Sequence, residues 1–326
     1  MTCRIGVVSD IHYASAAERA RGNDYEFRAI KNIFLRLFVR MHRRFIWLHE
    51  PLNQNHLLDH FLNEATAFDH VIANGDYSCN TAFVGMSDDA ACQSARECLE
   101  KLRKKFGAKL RANFGDHELG KTSFFGGQGG MRLASWQRAR QDLGLEGFWE
   151  LEIGRYVLMG VVSSLIALPV FESDTLPQER REWERLRAEH LAEIREAFAN
   201  LDRGRSVILF CHDPTALPFL WHDEKVNQNL SQIEQTIIGH LHSPLILWQS
   251  RLLAGMPRIG FLGHTAKRLS TALSEARYWK QFKVRLCPAL AGIELLKDGG
   301  YLSMELDPDG RQLARFKAHP LDRGRK

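Results

Sequence analysis

Six short apolar runs, each ending in polar residues, place the strongest constraint on the fold of this sequence. The runs are RIGVVSD (4–10), HVIANGD (70–76), KLRANFGD (109–116), YVLMGVVSS (156–164), SVILFCHD (206–213) and QTIIGHLH (235–242). The longer stretches between them have helical periodicity, and the clearest helix is predicted at 176–200. Alternation of this kind predicts an α/β architecture.

After about residue 256 the pattern changes to short strand-like runs separated by Gly, Pro or Asp. These runs are RIGFLG, FKVRL, AGIELL and YLSMELD. Within LKDGGYLSMELD, the Asp-Gly-Gly sequence is typical of a hairpin turn. We therefore expect additional antiparallel strands in this segment, a single domain over 1–318, and a polar tail over 319–326.

Composition excludes few classes of protein. The chain has 326 residues, 44% apolar and 25% charged, which is ordinary for a globular protein, and a formal charge of +5 that mildly favours anionic ligands. The six cysteines form no CxxC pair, so buried reduced thiols are expected. No apolar run reaches the roughly 18 residues of a spanning helix, and the polar N-terminus does not resemble a signal peptide. We expect a cytoplasmic protein. Nucleic acid is a conceivable partner, but basic and aromatic residues do not interleave as in a nucleic-acid channel.

Five of the six apolar runs end in Asp or His at the same place, the carboxyl end of the predicted strand. A single Asp after a strand is often a helix cap or a turn residue. Caps do not require histidine, however, and capping does not explain Asp-x-His and His-x-His together. In open α/β sheets this edge is where ligands bind.

The residue types at this edge suit a metal site. In an extended segment residues i and i+2 point the same way, so Asp10 and His12 are expected to reach one ion, and His240 and His242 one cavity. Mixed carboxylate and imidazole ligands suit Mn, Fe, Zn or Co better than Ca or Mg. The candidate ligands, enough for two ions, are Asp10, His12, Asp76, Asp116, His212, His240 and His242.

The ordered set resembles the calcineurin-like metallophosphoesterase superfamily. The motifs that carry this resemblance are DIH (10–12), NGD (74–76), GDHE (115–118), CHD (211–213) and GHLH (239–242). The resemblance implies a four-layer αββα sandwich of two mixed β-sheets flanked by helices. It also implies hydrolysis of a phosphate monoester or diester through in-line attack by a hydroxide that bridges two metal ions.

The resemblance further implies a role for each residue. One ion would be held by Asp10, His12, Asp76 and His242. The other would be held by Asp76, Asp116, His212 and His240, so that Asp76 bridges the pair. His117 would protonate the leaving oxygen or bind phosphate, and Glu118 would orient the His117 ring.

Asp116 departs from the family pattern, which usually has Asn at this position. An anionic oxygen replaces a neutral one and lowers the formal charge of the site by one. The change weakens the attraction for a phosphate dianion, or favours trivalent iron in a mixed pair. A catalytically weak relative that keeps the fold as a scaffold is therefore one alternative function.

The segment between the first two motifs, 13–69, is long for a simple crossover and predicts a helical cap. Within it, KNIFLRLFVRMHRRFIWL (31–48) places four arginines on one side of a helix and large apolar residues on the other. The helix either packs on the core with an arginine seam or meets an acyl chain or a membrane surface. If the helix meets an acyl chain or a membrane surface, a lipid-linked sugar-nucleotide pyrophosphatase acting at the membrane surface is an alternative function, although that family usually has Arg at the position of His117. A nuclease is a further alternative.

Overall fold

Two five-stranded sheets form the centre of the computed structural model. It describes residues 2–123, 127–259 and 264–321, and of 264–266 it describes the backbone. The strands are β1 (Cys3–Val8), β2 (His70–Ala73), β3 (Leu110–Ala112), β4 (Phe148–Ile153), β5 (Tyr156–Val161), β6 (Ser206–Cys211), β7 (Ile233–Ile238), β8 (Val284–Leu286), β9 (Gly300–Leu306) and β10 (Arg315–Pro320). The six cysteines are unpaired.

Helices connect most of these strands. They are α1 (Ala16–Ala20), α2 (Ile33–His42), α3 (Asn55–Glu64), α4 (Asp89–Phe106), α5 (Asp116–Leu119), α6 (Leu133–Gln141), α7 (Ser163–Ile166), α8 (Leu168–Phe171), α9 (Arg180–Ala199), α10 (Leu217–Trp221), α11 (Glu224–Gln228), α12 (Pro244–Leu252) and α13 (His264–Glu275). In the described part of the chain, no helix has both the length and the apolar composition needed to cross a membrane.

Both sheets are mixed. The first has the order β10-β9-β1-β2-β3, in which β1, β2 and β3 are parallel and β9 is antiparallel to both of its neighbours. The second has the order β4-β5-β6-β7-β8, with β4 antiparallel to β5 and the other strands parallel. The carboxyl ends of the parallel strands in each sheet therefore lie at a common edge.

The two sheets pack face to face, and helices cover their outer faces. Ile5, Ile72 and Met304 of the first sheet share one apolar cluster with Leu158 and Phe210 of the second. A larger cluster joins the outer faces of the sheets to side chains of α3, α4 and α9. The predicted α/β sandwich of two mixed sheets flanked by helices is confirmed.

Each of the six apolar runs contains a strand, namely β1, β2, β3, β5, β6 and β7, and the long predicted helix corresponds to α9 with a preceding 3₁₀ turn. The runs of β1, β2, β5 and β6 are nearly continuous because these strands are mostly buried on both faces, which is typical of parallel strands in layered α/β folds. The sequence reading missed β4 and β10, and both are antiparallel strands at the edges of the sheets.

The segment after residue 256 was predicted less well. The antiparallel strand in YLSMELD is confirmed as β9, but FKVRL forms β8, which pairs parallel to β7. AGIELL forms no strand, so the hairpin predicted at Asp-Gly-Gly is wrong, and β9 pairs instead with β10. Strand β10 ends at Pro320, two residues into the expected tail. Residues 322–326 and most of RIGFLG lie outside the described residues.

The segment 13–69 is helical, but its two longer helices differ in packing. Leu57, Leu58 and Phe61 of α3 are buried in the main core, so α3 is part of a helical layer. Helix α2 contributes Val39 to a small cluster that is separate from the main core. Its large apolar side chains face solvent, so the prediction that 31–48 packs on the core is wrong for α2. It holds only at the end of that segment, where Leu48 is buried in the main core and Trp47 packs against it.

Candidate metal centre

The seven candidate ligands come from the carboxyl ends of five parallel strands. Asp10 and His12 follow β1, Asp76 follows β2, and Asp116 opens α5 after β3. His212 follows β6, and His240 and His242 follow β7. Five of the seven are buried, at 0–8% exposure, and the side chains of His240 and His242 are 28% and 12% exposed.

The ligands do not reach the site in the way that the sequence suggested. Asp10, His12, Asp76, His240 and His242 all have left-handed backbone, with φ between 50° and 60°. The explanation from extended i and i+2 residues is wrong because β1 and β7 end before these positions. Left-handed non-glycine residues cost of order 1–3 kcal/mol each and persist only where the surroundings hold them. Two of these residues are held by backbone hydrogen bonds: the Asp10 amide donates to the Gly75 carbonyl at 3.1 Å, and the His12 amide donates to the Asp76 carbonyl at 3.0 Å.

One group of potential ligands contains Asp76, Asp116, His212 and His240, whose ligating atoms lie within 4.8 Å of one another. His212 Nε2 lies 3.2 Å from Asp76 Oδ2 and 3.5 Å from Asp116 Oδ1. His240 Nδ1 lies 2.7 Å from Asp116 Oδ1. These four residues are the set that the family resemblance assigned to one ion.

A second group contains Asp10, His12 and His242. The Nε2 atoms of His12 and His242 are 3.3 Å apart, and His242 Nε2 lies 3.4 Å from Asp10 Oδ1. Asp76, which the resemblance also assigned to this ion, instead groups with His12 and His117. Asp76 therefore has close neighbours in both clusters.

The residues at the centre fit divalent cations. His212 Nε2 is buried among the carboxylates of Asp76 and Asp116 and forms no well-aligned hydrogen bond within the described residues, while its Nδ1 contacts the Asn74 carbonyl at 2.5 Å. The ring is thus fixed with one nitrogen free to act as a ligand. Gly239 is required for this packing, since a Cβ there would lie 2.1 Å from Ser9 Oγ and 2.6 Å from Asp10 Oδ2. Three buried carboxylates in so small a volume repel one another unless protons or cations offset their charge, and a bound metal ion would do so.

The profile of the calcineurin-like phosphoesterases matches residues 3–244, a range that contains all five motifs. The chain belongs to the calcineurin-like phosphoesterase family. The resemblance inferred from the motif order is therefore confirmed. A comparison with curated protein sequences finds no match.

Several solved structures, two phosphatases and a hydrolase among them, are similar to this calcineurin-like phosphoesterase at low sequence identity. A purple acid phosphatase from seeds of yellow lupin (Lupinus luteus) is 12% identical with a TM-score of 0.35, and the match covers 74% of this chain but only 38% of the lupin chain. A dimetal phosphatase from Danio rerio is 12% identical with a TM-score of 0.37, covering 74% and 82% of the two chains. A phosphopantetheinyl hydrolase from Mycobacterium tuberculosis is 14% identical with a TM-score of 0.35, covering 74% and 83%.

The histidines of this phosphoesterase differ in protonation. Burial lowers the pKa of His12 to about 4 and that of His242 well below its usual value, so both rings are neutral and can act as ligands. Burial alone would lower the pKa of His212 too, but Asp76 and Asp10 raise it well above the usual value. A metal ion at His212 would therefore replace a proton.

His117 lies at the edge of the ligand set. Its Nδ1 contacts the Ser78 carbonyl at 2.9 Å, and its Nε2 lies 3.8 Å from Asp76 Oδ2. Burial opposes protonation of this ring, but Asp76 and Asp116 raise the pKa of His117 to about 9. With its side chain 25% exposed, His117 is accessible from solvent and can meet a ligand.

Glu118 does not orient His117, and that prediction is wrong. Its carboxylate accepts hydrogen bonds from the backbone amides of Gly115, Asp76 and Tyr77, at 2.7, 3.0 and 2.9 Å. The ring of His117 is oriented by a carbonyl group instead. Glu118 fixes the backbone that carries Asp76 and opens α5.

Lys121 is a charged residue of this centre that the sequence reading missed. Its Nζ lies 3.2 Å from Asp116 Oδ2, 3.4 Å from Asp213 Oδ2 and 3.4 Å from His240 Nε2. Its side chain is only 18% exposed. No motif marks Lys121, but its position five residues after the unusual Asp116 is the signal that could have identified it. Asp213 lies in the CHD motif, and no role was assigned to it from the sequence.

Proposed function

We propose that this protein is a phosphohydrolase that uses two transition-metal ions to cleave a phosphate monoester or diester. The observation that supports it is the convergence of seven side chains from five strand ends into two adjoining ligand clusters. Asp10, His12 and His242 would hold one ion, Asp116, His212 and His240 would hold the other, and Asp76 would bridge them. Two such ions would polarise the phosphoryl group and lower the pKa of an attacking water.

The ligand chemistry favours Mn, Fe, Zn or Co at both positions. His12 and His242 are neutral, which favours a divalent ion at their position. Asp116 adds an anionic oxygen to the other position, which favours trivalent iron there and therefore a mixed pair. Metal analysis of the protein purified without chelators identifies the ions.

His117 supplies the proton in this proposal. The Ser78 carbonyl accepts a hydrogen bond from Nδ1 and holds the ring so that Nε2 faces the ligand cluster. In the metal-free protein Asp76 and Asp116 raise the pKa of His117 to about 9, which favours the protonated ring. His117 would therefore donate its Nε2 proton to the departing alkoxide, or hold a phosphate oxygen while water attacks from the opposite side.

Metal stripping and a ligand substitution test the metal part of the proposal. We expect activity towards nitrophenyl phosphate or bis-nitrophenyl phosphate to vanish after chelation and to return with Mn²⁺. His212→Ala should lose both bound metal and activity, whereas His60→Ala, at an exposed position outside the centre, should keep both. Full turnover by stripped protein and by His212→Ala would disprove the proposal.

The role of His117 is tested by varying the leaving group. Nitrophenolate departs without protonation, whereas an alkoxide needs an acid. His117→Gln should therefore lose roughly 10²–10⁴-fold in rate on an alkyl ester and much less on the nitrophenyl ester, with metal content unchanged. An equal loss on both esters would show that His117 does not act as the general acid.

A further inference from the structure

Helix α2 presents its apolar side to solvent. We define its outward face as Ile33, Phe34, Leu37, Phe38 and Met41, whose exposures are 70%, 80%, 56%, 62% and 52%. At helical spacing these residues form one continuous stripe. Large contiguous apolar patches are rare on the surfaces of soluble monomers and mark interaction sites.

The inner side of α2 is attached largely by polar contacts. Val39 is buried beside Phe27 and Ile30, and Arg36 donates two hydrogen bonds to the Ile30 carbonyl, at 3.0 and 2.6 Å. Arg43, just beyond the helix, pairs with the largely buried Glu26 at 3.2 Å. These contacts fix the rotation of the helix, so the outward face is held in solvent by the fold.

The apolar surface continues towards the metal centre. After α2 the chain leads through exposed Phe45 and Ile46 to Trp47, whose ring centroid lies 4.9 Å from that of His242. The Ile46 carbonyl accepts a hydrogen bond from the amide of Leu295, whose side chain is 57% exposed. The segment that carries the outward face therefore leads directly to a side chain that packs on a candidate ligand.

The charge around this surface is positive. Residues 27–49 contain six Lys or Arg and no Asp or Glu. Arg40 pairs with Asp24 at 2.7 Å, whereas Lys31 and Arg44 are exposed cations, and the Arg44 guanidinium lies 5.7 Å from the centroid of the Phe45 ring. Cations beside exposed aromatic and aliphatic side chains are typical of helices that lie in the interface of an anionic membrane.

We propose that the outward face of α2 docks onto an anionic lipid bilayer, with its phenylalanines inserted between the headgroups. A second copy of the chain is a poorer occupant, because a two-fold contact would bring the cations of this segment against each other. A single acyl chain is also a poorer occupant, because side chains more than half exposed do not line a groove that one chain could fill.

Docking in this way would hold the metal centre close to the headgroup region. The substrate class that fits is a phosphate ester or diester in a lipid headgroup, presented at the membrane surface. That substrate class rests on the proposed phosphoesterase activity, whereas docking itself does not. The two inferences can therefore fail separately.

Vesicle co-sedimentation tests the docking with the full chain. The probes are vesicles of phosphatidylcholine alone and of phosphatidylcholine with about one third phosphatidylglycerol. Wild type should bind the anionic vesicles, and Phe34→Glu/Phe38→Glu should bind them at least about ten-fold more weakly. Lys31→Gln/Arg44→Gln should lower binding to that seen with phosphatidylcholine alone.

Leu313→Glu is the matched control. Leu313 is 70% exposed, and its neighbours Gln312 and Ala314 contact Tyr156 and Glu234 at the amino ends of β5 and β7, opposite the metal centre. This variant should bind vesicles as wild type does. All variants should keep the far-UV circular dichroism of wild type and a cooperative urea transition, which verifies the fold independently of any activity.

Three outcomes would overturn the docking proposal. The first is that wild type does not bind anionic vesicles. The second is that Phe34→Glu/Phe38→Glu binds them as tightly as wild type does. The third is that wild type forms a dimer and the Phe34→Glu/Phe38→Glu variant is a monomer. The last would identify a second copy as the occupant. Vesicle binding without any hydrolysis would leave docking intact and count against the phosphoesterase proposal.

Discussion

Lys121 provides a sensitive test of the electrostatics at the metal centre. Its ammonium group lies 3.2 Å from Asp116 Oδ2, and the two side chains are 18% and 5% exposed. At this distance, with an effective dielectric constant of about 20, the Coulomb attraction is about 5 kcal/mol before the cost of desolvation. Removing one partner of a buried pair typically destabilises a protein by about 3–5 kcal/mol.

We therefore expect Lys121→Met to lower the free energy of unfolding of the metal-free protein by about 3 kcal/mol. In an Asp116→Asn background the same substitution should cost about 1 kcal/mol, because only the contact with Asp213, at 3.4 Å, remains ionic. The coupling energy between the two sites would then be about 2 kcal/mol.

Urea unfolding of the four proteins at pH 7, after chelation, measures this cycle. Lys101→Met is the control, since Lys101 pairs with Asp59 at 2.7 Å but the two side chains are 38% and 52% exposed. An exposed pair should contribute less than about 1 kcal/mol. Equal costs of Lys121→Met in both backgrounds, within about 0.5 kcal/mol, would refute the reasoning.

Three further predictions concern other positions. Gly239→Ala should lower metal content, because its Cβ would collide with Ser9 Oγ, whereas Gly204→Ala, with no atom within 4 Å, should not; equal metal content in both would contradict this. His190 is buried, accepts a hydrogen bond from the Val162 amide at 3.0 Å, and has a pKa lowered by burial. The stability that neutral His190 contributes is therefore present above the usual pKa of 6.5 and is lost as pH falls below that value. His190→Gln should flatten the decline of the free energy of unfolding in urea towards pH 5. An unchanged decline would count against this role of His190. Glu118→Gln should cost about 1–3 kcal/mol of stability in the same assay, because it removes an acceptor from backbone amides, without changing the leaving-group dependence; a change like that of His117→Gln would contradict the structural role.

The buried strands, and the position of the candidate ligands at their carboxyl ends, could be predicted because both depend on local sequence. A strand buried on both faces needs a continuous apolar run, and such a run has to end where the chain reaches solvent or a site. Asp10, Asp76 and His212 each follow such a run directly. Strands β4 and β10 were harder to predict because each pairs at a sheet edge, where partial exposure weakens the apolar pattern.

Other features depend on contacts that no local pattern encodes. Glu118 follows His117 directly, but neighbouring residues of a helix point about 100° apart, so the carboxylate turns to backbone amides instead. Periodicity showed that α2 is amphipathic but not which side faces the protein. That side is decided by the partners of Arg36 and Arg43, which lie in segments before the helix.

The departure at Asp116 and the position of Lys121 are parts of one arrangement. The aspartate adds a negative charge where the family usually has a neutral amide, and Lys121 places a positive charge 3.2 Å away. The net charge of the centre is then the same as with Asn and no lysine, so the departure does not by itself argue for a weak enzyme.

This compensation predicts how the two residues affect metal affinity. Asp116→Asn alone removes one negative charge from the centre and leaves Lys121 paired only with Asp213, so it should weaken Mn²⁺ binding, whereas Lys121→Met alone should strengthen it. The double variant should return close to wild type, because its net charge is restored. Calorimetric titration of stripped protein with Mn²⁺ measures all four affinities. If the double variant binds as weakly as Asp116→Asn alone, the lysine does not balance the extra carboxylate, and Asp116 acts on the metal only through its oxygen.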